Sequence, residues 1–302
     1  MKPAPQNPAW TVPDWPAPPN VHALCTVRQG GCSAAPFDSF NLGGHVGDDP
    51  GAVAANRQRL QAGIAEVTPG AQAVFLQQVH GTEVLSLDVL GIRHQDADSP
   101  APCADASVAS APGRVCAIMV ADCLPVLLTN RQGSVVAAVH AGWRGLAGPK
   151  GILESTLGSF WALAQQQQAP AAIKSEAFEN ETSHTDLLRQ SLAADTLAWL
   201  GPCIGPRAFE VGEEVRAAFC DHNAAAAQHF QPIGPAGTGK YLADLAALAR
   251  QRLTAAGVAQ IYGNDSTAAW CTVGNPSRFF SHRRDSTRFG ASGRFAACIW
   301  RS

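Results

Sequence analysis

Three short segments, far apart in a chain of 302 residues, each set a metal-binding side chain beside a small or turn-forming residue: QVHG carries His80, ADCLP carries Cys123 and VHAGWRG carries His140. Two imidazoles and a thiolate are donors that zinc accepts at tetrahedral positions. Three protein ligands leave the fourth position to water or substrate, as in a catalytic rather than a structural metal site. Taken singly, each residue suits a hydrogen-bonded core histidine or a buried thiol just as well, and no compact CxxC or HExxH spacing announces the set. A second chemistry is open to the same residues, with Cys123 as a nucleophile and His140 as its base.

Such side chains need elements to hold them. VCAIMVAD and PVLLTN predict short buried strands on either side of Cys123, and SVVAAVH predicts a strand ending at His140. AQAVFLQQVH and TEVLSLDVL are apolar, β-rich runs split by Gly81, which predicts consecutive strands joined by a tight reversal, with His80 at a strand end. Strands apolar on both faces belong inside a layered structure. GAVAANRQRLQAGI, GPKGILESTLGSFWALA and YLADLAALARQRLTAAGV predict helices, and SAAPFDSFNLGGHVGDDP predicts a loop. TLAWLGPCIGPRAFEVGEEVRAAFC reads as strand, Gly/Pro loop and helix; IYGNDSTAAW, FFSHRRDSTRFG and RFAACIW read as closing loops and strands. A polar, Gln-rich stretch near residues 164–193 breaks the pattern and predicts an exposed insertion. The expected organisation is α+β, with a Pro-rich lead over residues 1–20 and one catalytic domain over residues 21–302.

An apolar fraction of 46% is enough to bury a substantial core. A net charge of −2 with 15% charged residues supplies no broad basic field, which argues against nucleic acid or an anionic membrane and favours a small-molecule partner. The first twenty residues carry many prolines and no apolar signal core, and no later run has the length of a membrane span, so a cytoplasmic protein is expected. Nine scattered cysteines do not form a disulfide pattern; Cys116, Cys271 and Cys298 read as buried free thiols. Nothing in the sequence fixes an oligomeric state.

FNLGGHVGDDP, QQVHGTEV, ADCLPVLL, AAVHAGWRGL, GPCIGPRAFEV and FFSHRRD…RFAACIW follow one another from Phe40 to Trp300. In that order they resemble the signature blocks of the YfiH/laccase-domain family. The resemblance implies a mixed-sheet α/β sandwich of the type compared with toxin cysteine hydrolases, and zinc held by His80, Cys123 and His140. It also implies phosphorolysis of purine nucleosides (adenosine, inosine, guanosine and methylthioadenosine), accompanied by adenosine deamination. The chain departs from the family pattern in the Gln-rich insertion and in the extra residues of RRDSTRFGASGRF.

Phosphorolysis of an N-glycosidic bond develops positive charge on the ribose and negative charge on the leaving base, and it needs a placed phosphate. Arg144, and Arg283 or Arg284, are candidates to hold that phosphate, because guanidinium forks suit oxyanions; each also reads as a structural arginine. Asp122 is a candidate proton shuttle or loop cap, although strand alternation would point it away from Cys123. Asp105 and Glu210 are weaker candidates. Asn41 and His45 lie in the Gly-rich loop as candidate substrate contacts, Asn41 equally as a turn residue. Cys203 reads as a pocket wall or a buried thiol. The alternatives are a copper polyphenol oxidase (laccase), an editing hydrolase for peptidoglycan precursors and a binding scaffold with structural zinc. The oxidase is disfavoured because no HxH pair occurs among the nine histidines.

Overall fold

The computed structural model describes residues 10–89, 101–168, 181–235 and 237–302. Its centre is a mixed six-stranded sheet in the order Gln260–Gly263, Thr196–Leu200, Leu124–Asn130, Val136–Ala141, Ala106–Ala109 and Val84–Ser86. A four-stranded sheet, Val21–Cys25, Phe295–Arg301, Arg114–Val120 and Gln72–Val74, packs against one face. The helix Ile152–Gln168 covers the other. Glu210–Gly212, Phe230–Pro232 and Lys240–Ala243 form a small antiparallel sheet.

The expected two-faced burial is present. Along Leu124–Asn130 every residue is buried. Leu127 joins Val136, Ala138 and Trp199 in the core between the sheets, whereas Leu124, Val126 and Leu128 join Leu153, Leu157 and Phe160 on the helical side. This alternation is why the strand is apolar without interruption. Antiparallel pairing of the two central strands sets Leu124 opposite Ala141 and Pro125 opposite His140. The register therefore brings the residue before the first strand, Cys123, to the end of the second.

Three expectations are corrected. The runs around Gly81 do not form a hairpin: Gln72–Val74 pairs with Arg114–Val120 in one sheet, and Val84–Ser86 pairs with Ala106–Ala109 in the other. The connection crosses between sheets because its main-chain donors at residues 79–81 are taken by the Asp105 carboxylate rather than by a ladder. FFSHRRDSTRFG contains a helix, His282–Phe289, whose N-cap Ser281 accepts from the Arg284 N–H. YLAD opens as the strand Lys240–Ala243 before Asp244 caps the helix Leu245–Ala255. The polar stretch near 164–193 is helical where described, from the end of Ile152–Gln168 and through Glu181–Asp195, with residues 165–167 and 186–191 exposed; residues 169–180 lie outside the described residues. No helix among the described residues is long and apolar enough to cross a membrane.

Leu127→Ala opens a cavity between the sheets and should lower unfolding free energy by about 2–5 kcal/mol. Leu187→Ala, at 65% exposure, should change it by less than about 0.5 kcal/mol in the same denaturant titration.

Candidate metal centre

His80, Cys123 and His140 converge so that one donor atom from each lies within 4.8 Å of the others. Cys123 Sγ is 3.6 Å from His80 Nε2, and the two imidazole rings stand 4.7 Å apart at 68°. Ligand atoms around a tetrahedral zinc with bonds near 2.0–2.3 Å are roughly 3.3–3.8 Å apart, so the donor set fits such an ion with small inward shifts. His140 is buried, Cys123 half-buried and His80 exposed, which leaves one side of the cluster open.

The backbone is bent to achieve this. His80 has φ 62° and Asp122 has φ 90°, left-handed conformations that non-glycine residues rarely adopt. Gly142 makes room: a Cβ there would lie 2.8 Å from His80 Cδ2 and 3.1 Å from Cys123 Sγ. Behind the cluster, Asp105 is fully buried. Its carboxylate accepts from His140 Nδ1 at 2.8 Å and from the main-chain N–H groups of His80 at 2.9 Å and Gly81 at 2.6 Å. One carboxylate thus fixes both the His80 turn and the His140 ring, leaving His140 Nε2 for a metal.

Burial works against charge at Cys123, but the positive charge of His140 and hydrogen bonds from both histidines overcome it, holding the thiol well below its ordinary value. Burial likewise opposes the imidazolium of His140, yet the Cys123 thiolate and Asp105 raise it well above the usual histidine range. Asp105 is pushed up by burial and held down more strongly by its hydrogen bonds, so it stays ionised. Without metal, the cluster is a thiolate–imidazolium pair backed by a carboxylate.

The open side faces a cavity of about 410 Å3, within the size range of small-molecule sites. Trp143, Ile204 and Phe209 give it apolar walls; Arg144, Arg283, Arg294, His45 and His282 give it polar ones. Arg144 is exposed and stacks on Trp143 at 4.5 Å. Arg283 lies over Phe209 and donates to the Glu210 carbonyl at 3.1 Å. Asp122 lines the same cavity as Cys123, contrary to the alternation expected of a strand, because its left-handed φ interrupts the strand. Its oxygens accept from Thr272 Oγ1 at 2.5 Å and from the Arg283 N–H at 2.6 Å, which ties the site to the helix His282–Phe289.

Other candidates lie elsewhere. Asn41 is fully buried and outside the cavity, with Oδ1 accepting from the Gly43 and Arg294 N–H groups and Nδ2 donating to Asp48; its amide shapes the loop instead of reaching a ligand. Arg284 is consumed by Asp285 and by carbonyls of Thr272 and Phe279. Glu210 pairs with Lys240. Asp105 is too enclosed by donors to shuttle protons. Cys203 is a buried thiol pushed up by burial, bonded by Asn264 Nδ2. Cys116, Cys271 and Cys298 are buried and unbridged, as expected. Sequence reasoning missed Arg294, His282 and Gln78 on the cavity wall. Gln78 had a readable role only in three dimensions, clamping Met119 through N–H and C=O at 2.8 Å each.

A mixed-sheet α+β sandwich with a His–Cys–His cluster, built from the ends of two central strands and the crossover at residues 79–81, defines the class. Residues 22–182 and 178–302 match the family model described as multi-copper polyphenol oxidoreductase laccase. The chain is 45% identical over 289 residues to the purine nucleoside phosphorylase YfiH of Escherichia coli strain K12, covering 96% of this chain and 97% of that one. It is 43% identical over 292 residues to a purine nucleoside phosphorylase of Pseudomonas aeruginosa, covering 97% and 98%. The crystal structure of a Neisseria meningitidis DUF152 protein superimposes with TM-score 0.76 at 40% identity, covering 97% and 99%. The chain belongs to the YfiH/laccase-domain family.

Asp105→Asn turns one of the two acceptor oxygens into an N–H donor and removes the negative charge behind the His140 ring, and should weaken zinc binding about 10- to 100-fold in a competitive chelator titration. In metal-free protein, Cys123 should react with iodoacetamide well below pH 8, where an ordinary thiol with pKa about 8.5 is mostly protonated. Added zinc should suppress that reaction.

Proposed function

We propose that the chain is a zinc-dependent purine nucleoside phosphorylase acting on adenosine, inosine, guanosine and methylthioadenosine, with adenosine deamination as a second activity, and that residues 21–302 work as one catalytic domain in the cytoplasm. The carrying observation is that one cavity combines the open side of a His–Cys–His cluster, several cationic groups and an apolar wall. The names of the relatives support the same reaction. Among the described residues no other group of His, Cys, Asp or Glu is placed to hold a metal, which favours a single zinc over the several copper ions of an oxidase.

In phosphorolysis a phosphate oxygen bonds to the anomeric carbon as the N-glycosidic bond breaks; its electron pair leaves with the base, which takes up a proton. Zinc held by His80, Cys123 and His140 would supply Lewis-acid charge for an oxyanion. Arg144 and Arg283 add positive charge at the mouth, Arg283 through the part of its guanidinium not taken by carbonyls. Trp143 and Phe209 offer flat apolar faces to a purine. Burial, reinforced by nearby arginines, holds His45 and His282 below the ordinary histidine value, so both are neutral near pH 7 and able to exchange protons. For deamination, water adds instead to the purine ring carbon that bears the amine, the C–N bond to that amine breaks and ammonia leaves; these imidazoles, with Asp122, are the groups at hand to move a proton from the water to the departing amine.

A second reading has its own observation. Cys123, His140 and Asp105 follow one another as thiolate, imidazolium and orienting carboxylate, the order a cysteine hydrolase uses and one that would suit editing of a peptidoglycan precursor. Metal content separates the two.

Purified protein should hold one zinc per chain and release adenine from adenosine only when phosphate is present, as followed by chromatography. Cys123→Ala should lose zinc and phosphorolysis while unfolding as the parent does; full turnover by the metal-free variant would remove this mechanism. Arg144→Ala should raise the phosphate concentration needed for half-maximal rate, and an unaltered phosphate dependence would remove Arg144 from the reaction.

A further inference from the structure

We propose that Arg294 is the oxyanion anchor of the cavity and binds the phosphate co-substrate together with His45 and His282, a site that rests on the phosphorylase reading above. The other two cavity arginines are exposed at its mouth. Arg294 is half-buried, and no carboxylate among the described residues lies within ion-pairing reach of it. Its Nη1 donates to the carbonyls of Ser292 at 2.8 Å and Gly293 at 3.1 Å; no acceptor among the described residues takes Nε or Nη2. The negative groups facing it, Cys123 and Asp122, have partners of their own in the cluster and in Thr272 and Arg283. A guanidinium cannot shed its charge, so one half-buried beside a cavity, with donors to spare and no carboxylate paired to it, suits an anion from outside.

The Gly-rich loop is built around this side chain. Asn41 Oδ1 accepts from the Arg294 N–H at 2.8 Å, and the Leu42 N–H donates to the Arg294 carbonyl at 3.0 Å. Gly43 lets the stem pass, since a Cβ there would lie 2.8 Å from Arg294 Cγ and 3.2 Å from its Cβ. Two residues further on, the same loop delivers His45 to the cavity, where burial and Arg294 keep it neutral and able to donate one N–H to an oxyanion. Asn41 and Gly43 are thus positioning residues for Arg294, not ligand contacts.

The test measures binding of inorganic phosphate to the zinc-loaded full chain by calorimetry, alongside phosphate and nucleoside KM values. Arg294→Gln should weaken phosphate binding about 10- to 100-fold with little change in nucleoside KM, and Arg294→Lys should restore part of it. Gly43→Ala, which alters no charge, should shift phosphate affinity in the same direction by crowding the Arg294 stem. Thermal unfolding of each variant separates loss of the site from loss of the fold. Unchanged phosphate affinity in well-folded Arg294→Gln and Gly43→Ala overturns the anchor while leaving the phosphorylase reading intact. Arg294-dependent phosphate binding without phosphate-dependent turnover keeps the anchor and removes the phosphorylase. Absence of phosphate binding to the unaltered protein overturns the anchor.

Discussion

The buried carboxylate of Asp105 is the interaction on which the centre depends. It sits where the strand Ala106–Ala109 begins, fully enclosed, and stays ionised because hydrogen bonds outweigh the cost of burying its charge. Its donors come from two places, the crossover at residues 79–81 and the end of the strand Val136–Ala141. The crossover has no ladder of its own at that point, so this one anion replaces the strand pairing that would otherwise satisfy its backbone. His80 is positioned through its main chain and His140 through its ring, and both bonds end on the same Asp105 oxygen.

Around that fixed corner the cavity divides its tasks by burial. The apolar walls are contributed by loops beside the small antiparallel sheet and by the turn after His140, and they suit a flat base. Positive charge is graded from exposed arginines at the mouth to the half-buried Arg294, next to histidines kept neutral by desolvation. Such a gradient can draw an anion into the cavity.

How much of this was legible follows from where each residue's partners lie. The three cluster residues could be picked out because each sits beside small or turn-forming neighbours at the end of an apolar run, and the register of one hairpin does much of the rest. Asp105 could not be assigned, since its four donors lie 24 to 35 positions away and its own surroundings, ADAS, look like an ordinary strand entry. The crossover at Gly81 resembled a hairpin because apolar runs flanking a glycine carry no record of which sheet each joins. Asp122 was misdirected by a strand alternation that its left-handed φ breaks. Arg294 is hidden among the arginines of RRDSTRFGASGRF; its place on the cavity wall and the pairing of its backbone with Asn41, 253 positions away, exist only in the fold.

X-ray absorption at the zinc edge of the protein as purified tests the central claim most directly. An open catalytic centre built from this cluster predicts one sulfur and two imidazole nitrogens around zinc, completed by a light atom that changes when phosphate is added. Copper in place of zinc, no retained metal, or a closed shell of four protein ligands indifferent to phosphate would contradict it.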